Sequence, residues 1–255
     1  MQSQPMQSQP TGTRMLEAGS HTSTQPMYYP ESDGEPMGET DFHIAAILYL
    51  RQALRFFFRQ VENVYVAANM LLYYEEGNPS ACKAPDVFVV KGVEKHDRRI
   101  YKLWEEAAAP CVVFEITSRG TRLDDLGTKR ALYEILGIQE YFLFDPLGEY
   151  LQPRLQGFRL ASNQGQAYYH PLPLTEDGTL YSQELELILQ PENALLRLVE
   201  PTTTQMLPTL DEAVDQMSDA IQRADAESQR ADAESQRAER LAAKLRELGL
   251  DPDTL

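Results

Sequence analysis

At 255 residues and 42% apolar composition, the chain is long enough for one ordinary domain plus extensions. Its net charge of −16 argues against indiscriminate nucleic-acid binding, although bases cluster locally, as Lys91, Lys95, Arg98, Arg99 and Lys102 and again as Arg119, Arg122, Lys129 and Arg130. No stretch approaches the roughly 18 apolar residues of a membrane span, and two cysteines without metal-ligand spacing, Cys82 and Cys111, suit a reduced, cytoplasmic protein.

Residues 1–27 are rich in Gln, Ser, Thr and Pro and repeat Met-Gln-Ser-Gln-Pro, which reads as a disordered tail without the charged start and apolar core of a secretory signal. After an irregular lead-in over 28–38, Thr40 or Asp41 is placed to cap a helix over about 42–60. Ile44, Ile47, Leu48, Leu50, Leu54 and Phe57 or Phe58 give that helix an apolar face, and Arg51, Arg55 and Arg59 give it a basic edge. Strand-like runs follow at 64–68 and 70–74, then a Gly77-Asn78-Pro79 turn and a strand opened by Asp86. A charged connection over 91–106 leads to a strand over 111–116, a helix over about 123–136 stopped at Gly137, and a strand over 140–145 ended by Pro146. Helix, strands, helix and strand in this order predict an α/β core. Short alternating runs between residues 148 and 200 predict antiparallel hairpins appended to it, as cover or dimer contact.

The last segment repeats Arg-Ala-Asp-Ala-Glu-Ser-Gln at 223–229 and 230–236. Leu210, Met217, Ala224, Ala231, Ala238 and Leu245 interleave with Val214, Ile221, Ser228, Ser235 and Ala242 at the spacings of a coiled-coil seam. A helix over 208–250 that self-associates weakly and a solvated single helix both fit, because Ala and Ser bury little.

Three ionisable residues stand where the apolar pattern calls for burial. Asp86 opens Pro85-Asp86-Val87-Phe88-Val89-Val90, Glu115 sits inside Val112-Val113-Phe114-Glu115-Ile116, and Lys129 shares a helical stripe with Leu132, Tyr133 and Leu136. Charges on buried faces are costly unless paired or metal-bound, so two strand carboxylates and a helix lysine suggest a divalent-metal pocket beside a cation. A purely structural Glu115–Lys129 ion pair is the rival, and Asp86 alone reads as a turn or capping residue. Ser118 and Thr121 read as local hydrogen-bonders, His43 as a surface or packing residue near Glu39, Tyr101 and Trp104 as cover for the sheet, and Asp145 as a strand-ending turn.

Four linked motifs carry a family resemblance: Ala84-Pro85-Asp86-Val87, Val113-Phe114-Glu115-Ile116-Thr117-Ser118, the run from Asp125 through Lys129 to Tyr133, and the run from Leu136 to Pro146. In order and spacing the chain resembles the PD-(D/E)XK nuclease superfamily, and within it the Uma2 family of restriction endonucleases, abundant in cyanobacteria; the likeness extends less specifically over about 29–189. The resemblance implies a restriction-endonuclease-like core, a mixed sheet flanked by helices, within a nuclease domain over 28–200. It implies phosphodiester hydrolysis, most readily of DNA, with Mg²⁺ or Mn²⁺ held by Asp86, Glu115 and the Ile116 carbonyl. Lys129 would orient water or stabilise charge, because Thr117 stands where the superfamily commonly has its lysine. Arg119 and Arg122 would contact phosphate, and an acidic residue near the first helix, Glu39 with Asp41 behind it, would complete the site. A homodimer would let two sites cut two strands. The alternative is an inactive interaction protein of the same fold, assembling through its C-terminal coil.

Overall fold

Apolar runs rich in Val, Phe and Tyr form the strands that the sequence offers. The computed structural model describes residues 27–32, 39–106 and 108–247, so all but Met27 of the expected N-terminal tail lies outside the described residues. In chain order, helix α1 (Asp41–Phe57) and a short 3₁₀ turn (Phe58–Gln60) precede β1 (Val64–Ala68), β2 (Leu72–Tyr73), β3 (Cys82–Lys83), β4 (Val87–Lys91) and β5 (Tyr101–Lys102). Then come α2 (Leu103–Glu106), β6 (Val112–Ile116), α3 (Arg122–Asp124), a π-helical segment (Asp125–Lys129), α4 (Arg130–Ile135) and β7 (Glu140–Phe144). The strands β8 (Leu155–Asn163), β9 (Gln166–Pro171), β10 (Leu180–Ser182), β11 (Leu187–Glu192) and β12 (Leu195–Val199) lead to α5 (Leu210–Glu247).

The main sheet is mixed and six-stranded, in the order β1-β4-β6-β7-β8-β9, with β6 and β7 parallel and the other neighbours antiparallel. The α3–α4 crossover joins the parallel pair, as parallel neighbours require. Strands β8 and β9, expected as an appended hairpin, instead extend this sheet: β8 pairs with β7 through five residues. Only β10-β11-β12 form a separate three-stranded sheet, and β3-β2-β5 a second small one.

Alternation along β4 and β6 builds two cores. Val87, Val89, Val112, Phe114 and Ile116 pack against Leu50 and Leu54 of α1 and against Leu187, Leu189, Leu196 and Leu198 of the three-stranded sheet. Phe88, Val90 and Val113 face the other way, toward Tyr133, Ile138 and Tyr141. Burial on both faces explains why these strands read as continuous apolar runs. The buried face of α1 is His43, Ala46, Ile47, Tyr49, Leu50, Ala53 and Leu54, which corrects the expected stripe: Ile44 and Leu48 are exposed. Where the three-stranded sheet meets β8, glycine is required, since a Cβ on Gly157 would lie 2.7 Å from Leu180 and 2.9 Å from Phe142.

Helix α5 has no buried residue, and the expected seam residues Leu210, Val214, Met217 and Ile221 are exposed. Its first turn is fixed by a capping box. The Thr209 backbone N–H donates to Glu212 (2.8 Å) and the Glu212 N–H to Thr209 Oγ1 (3.2 Å). Arg197 of β12 donates to both Glu212 oxygens, at 3.1 and 2.8 Å.

Candidate metal centre

Antiparallel pairing sets Val87 opposite Phe114. One further step brings Asp86 opposite Glu115, and alternation puts both side chains on the face covered by α3 and α4. Asp86 Oδ2 accepts the Ile116 N–H at 2.6 Å. Because the N–H and C=O of a strand residue project to the same side, the Ile116 carbonyl also points to the Asp86 side of β6.

Lys129 arrives from the other direction. The π-helical stretch buries Asp125 and Lys129 together, a local widening of the kind that recurs at functional sites. Lys129 Nζ lies 2.8 Å from Glu115 Oε2 and 2.9 Å from Asp125 Oδ1, and the Tyr133 hydroxyl donates to Glu115 Oε1 at 2.8 Å. The expected Glu115–Lys129 ion pair therefore forms. Burial raises the pKa of the Glu115 carboxyl, and Lys129 opposes that rise. Burial opposes the charge on Lys129, but Glu115 and Asp125 outweigh it and raise its pKa. Burial likewise raises Asp125. The Asp125–Lys129 contact is an ion pair rather than a well-angled hydrogen bond, and both Asp125 oxygens lack a hydrogen-bond partner among the described residues.

The start of α1 supplies the third side. Thr40 caps the helix, its hydroxyl accepting the His43 N–H at 3.3 Å. This brings His43 Nε2 to 3.6 Å from both Glu39 Oε2 and Asp86 Oδ2. That separation is too long for a hydrogen bond, and the buried Nε2 has no hydrogen-bond partner among the described residues. One ligand atom from each of Glu39, His43 and Asp86 lies within 4.8 Å of the others. Burial lowers the His43 pKa, but Asp86, with Glu39 and Asp125 behind it, prevails and raises it. An orphaned imidazole nitrogen between two carboxylates fits a divalent cation, since donors sharing an ion at about 2.1 Å stand roughly 3 to 4 Å apart.

The structure thus gathers Glu39, Asp86, Glu115, Lys129 and Ile116, and leaves Asp41 exposed in the first turn of α1. Of the two readings offered for His43, surface or packing residue near Glu39, burial leaves the second, and the structure adds that it belongs to the cluster. The signal was legible: Glu39 and His43 are four apart at a helix start, the spacing that aligns side chains. Asp125 was likewise missed, for want of any sign that its helical turn would widen. Arg119 lines a cavity of about 210 Å³ together with His43, Thr117, Phe42 and Tyr150. Arg122 is exposed on α3 and is not in that lining. The Thr117 hydroxyl is buried without a hydrogen-bond partner among the described residues.

The profile of the Uma2 family, described as "Putative restriction endonuclease", matches residues 23–195. Among solved structures the chain is similar to one described as a "putative nuclease belonging to DUF820" from Anabaena variabilis. That likeness has 15% identity and a TM-score of 0.43, covering 62% of this chain and 82% of the other. No curated protein matches. No helix among the described residues is long and apolar enough to cross a membrane.

Proposed function

The chain belongs to the Uma2 family, described as "Putative restriction endonuclease", and from that premise we propose that it is a metal-dependent endonuclease acting on DNA. The observation that carries this reading is the buried His43 Nε2, without a hydrogen bond among the described residues and 3.6 Å from each of two carboxylates. Glu39, His43 and Asp86 would hold the ion, with the Ile116 carbonyl and Glu115 as the next donors. When bound, a divalent ion lowers the pKa of water and polarises a phosphoryl oxygen. A nitrogen donor among oxygens suits Mn²⁺ better than Mg²⁺.

The chain's own groups supply the rest. The Ile116 N–H fixes the orientation of Asp86. Glu115 and Asp125 hold Lys129 protonated beside the centre, where a fixed cation stabilises charge developing on phosphate. Arg119, on the wall of the cavity that His43 also lines, would meet the substrate phosphate; Arg122 would act only further out. The catalytic unit is taken as residues 28–200, with 208–250 as an assembly element of a cytoplasmic homodimer.

A second reading has one observation in its favour. Both Glu115 oxygens are already occupied, by Lys129 and by Tyr133, so part of the cluster is closed without an ion, as an inactive interaction protein would allow.

Cleavage of supercoiled and single-stranded DNA with Mn²⁺ or Mg²⁺ separates the two, with metal affinity measured calorimetrically in parallel. Asp86→Asn and His43→Gln are expected to lose metal binding and at least about 100-fold in cleavage, and Lys129→Met to lose cleavage alone. Equal cleavage by all variants would expose a contaminant. A wild type that neither binds metal nor cleaves would leave the interaction protein.

A further inference from the structure

We propose that a second site, a basic cavity at the far end of α1, grips backbone phosphates of the nucleic acid. This rests on the nuclease reading above but uses none of its residues. The cavity, of about 350 Å³, opens between the end of α1, strand β1 and the loop carrying Lys95 and His96. Arg55 reaches it from the last turn of α1 and Arg59 from the 3₁₀ turn that follows, and Asp97 is the only acid among the described residues of its lining.

These cations are available, which is unusual in this acidic chain. Neighbouring bases are paired: Lys91 with Glu184, Arg98 with Glu106, Arg99 with Glu31 and Lys102 with Glu105. Among the described residues, Arg55, Arg59 and Lys95 have no carboxylate partner. Arg59 and Lys95 are also held in place. The Arg59 guanidinium lies 4.0 Å over the Phe56 ring and donates to the Phe56 carbonyl at 2.9 Å. Lys95 donates to the Phe58 carbonyl and, at 3.3 Å, to that of Arg59, so its ammonium is anchored on the helix end beside the arginines. Planar guanidiniums in a fixed setting suit phosphate oxygens.

Geometry identifies the ligand as a strand rather than a lone anion. Helix α1 runs from the Glu39–His43–Asp86 cluster to this cavity over 17 residues, about 25 Å at 1.5 Å per residue. That is the reach of roughly seven phosphates along one strand of a duplex. Arg51, partly buried one turn before Arg55, extends the basic edge back toward the cluster.

The test is fluorescence anisotropy of a labelled duplex with the full chain in EDTA, so that no cleavage intervenes, over a range of salt. Wild type is compared with Arg55→Gln/Arg59→Gln and with Arg223→Gln on α5 as a control. The double variant is expected to bind more weakly on every sequence, its log–log salt slope shallower by about 2, with the control unchanged. An unchanged slope, or no duplex binding by the wild type, overturns the proposal. So does a cavity that takes inorganic phosphate through Arg55 and Arg59 without any effect on duplex affinity. Hydrolysis of a small phosphodiester by the double variant should match wild type, since such a substrate cannot span α1. If the wild type hydrolyses nothing, the nuclease reading falls while the anisotropy result still judges this cavity.

Discussion

Burial alone does not distinguish a functional carboxylate from a structural one; its partners do. Glu115, Asp125, Glu140 and Asp145 are all buried. Asp145 accepts the backbone N–H groups of Leu147, Gly148, Tyr150 and Leu151. Glu140 accepts from Arg159, from the Ser182 hydroxyl and from the Gln183 and Glu184 N–H groups. Asp145 is thus committed to the loop between β7 and β8, and Glu140 to tying β7 to β8 and to the end of β10. Glu39 and Asp86 instead each bring an oxygen within 4.8 Å of a ring nitrogen of His43, whose Nε2 makes no hydrogen bond among the described residues. Glu140→Ala is therefore expected to lower stability by about 3–5 kcal/mol, by stranding Arg159, while metal affinity of the folded protein stays at the wild-type value. Denaturant midpoints with calorimetry check this; lost metal affinity would mean that the two clusters are coupled. Removing Glu115 outright would strand Lys129 in the same way, so its chemistry is better probed with Glu115→Gln than with alanine.

At the scale of elements, the weakest junction is the one that holds α5. Its 38 residues have no buried side chain, and the helix is tied to the rest through the Thr209–Glu212 capping box and Arg197. Hydrogen bonding from Arg197 holds the Glu212 carboxyl below the usual range. A depressed carboxylate stabilises the fold above its unfolded pKa, near 4.3, and that stability is lost as pH falls through the lower folded pKa. Glu212→Gln should therefore flatten the fall in thermal midpoint between about pH 5 and 3 relative to wild type. Arg197 is buried but the Glu212 side chain is about half open to solvent, which screens the pair and keeps the effect small. An unchanged pH profile would mean that this ion pair does not anchor α5.

For the whole molecule, the remaining question is assembly. Two copies paired along the seam of Ala224, Ser228, Ala231 and Ser235 would bring Asp225, Glu227, Asp232 and Glu234 of each close together. Like charges flanking a seam that buries little oppose association. Any self-association through α5 should thus strengthen as salt screens those carboxylates, from about 0.05 M to 0.5 M. Sedimentation equilibrium reads the sign directly. Dissociation by salt would assign the contact to oppositely charged surfaces elsewhere.

The sequence by itself determined the strands of the sheet, the stop at Gly137 and the three misplaced charges, because each is encoded locally, by apolar period, by a glycine able to adopt φ of +76°, or by a charge inside an apolar run. It determined the family too, through four motifs in order. Tertiary structure decided what no local pattern carries. It turned α1 so that His43 rather than Ile44 faces inward, enlisted β8 and β9 into the main sheet, and widened one helical turn so that Asp125 and Lys129 are buried together. These outcomes depend on contacts between residues far apart in the chain, where packing and desolvation outweigh local preference, and the candidate centre is assembled from just such contacts.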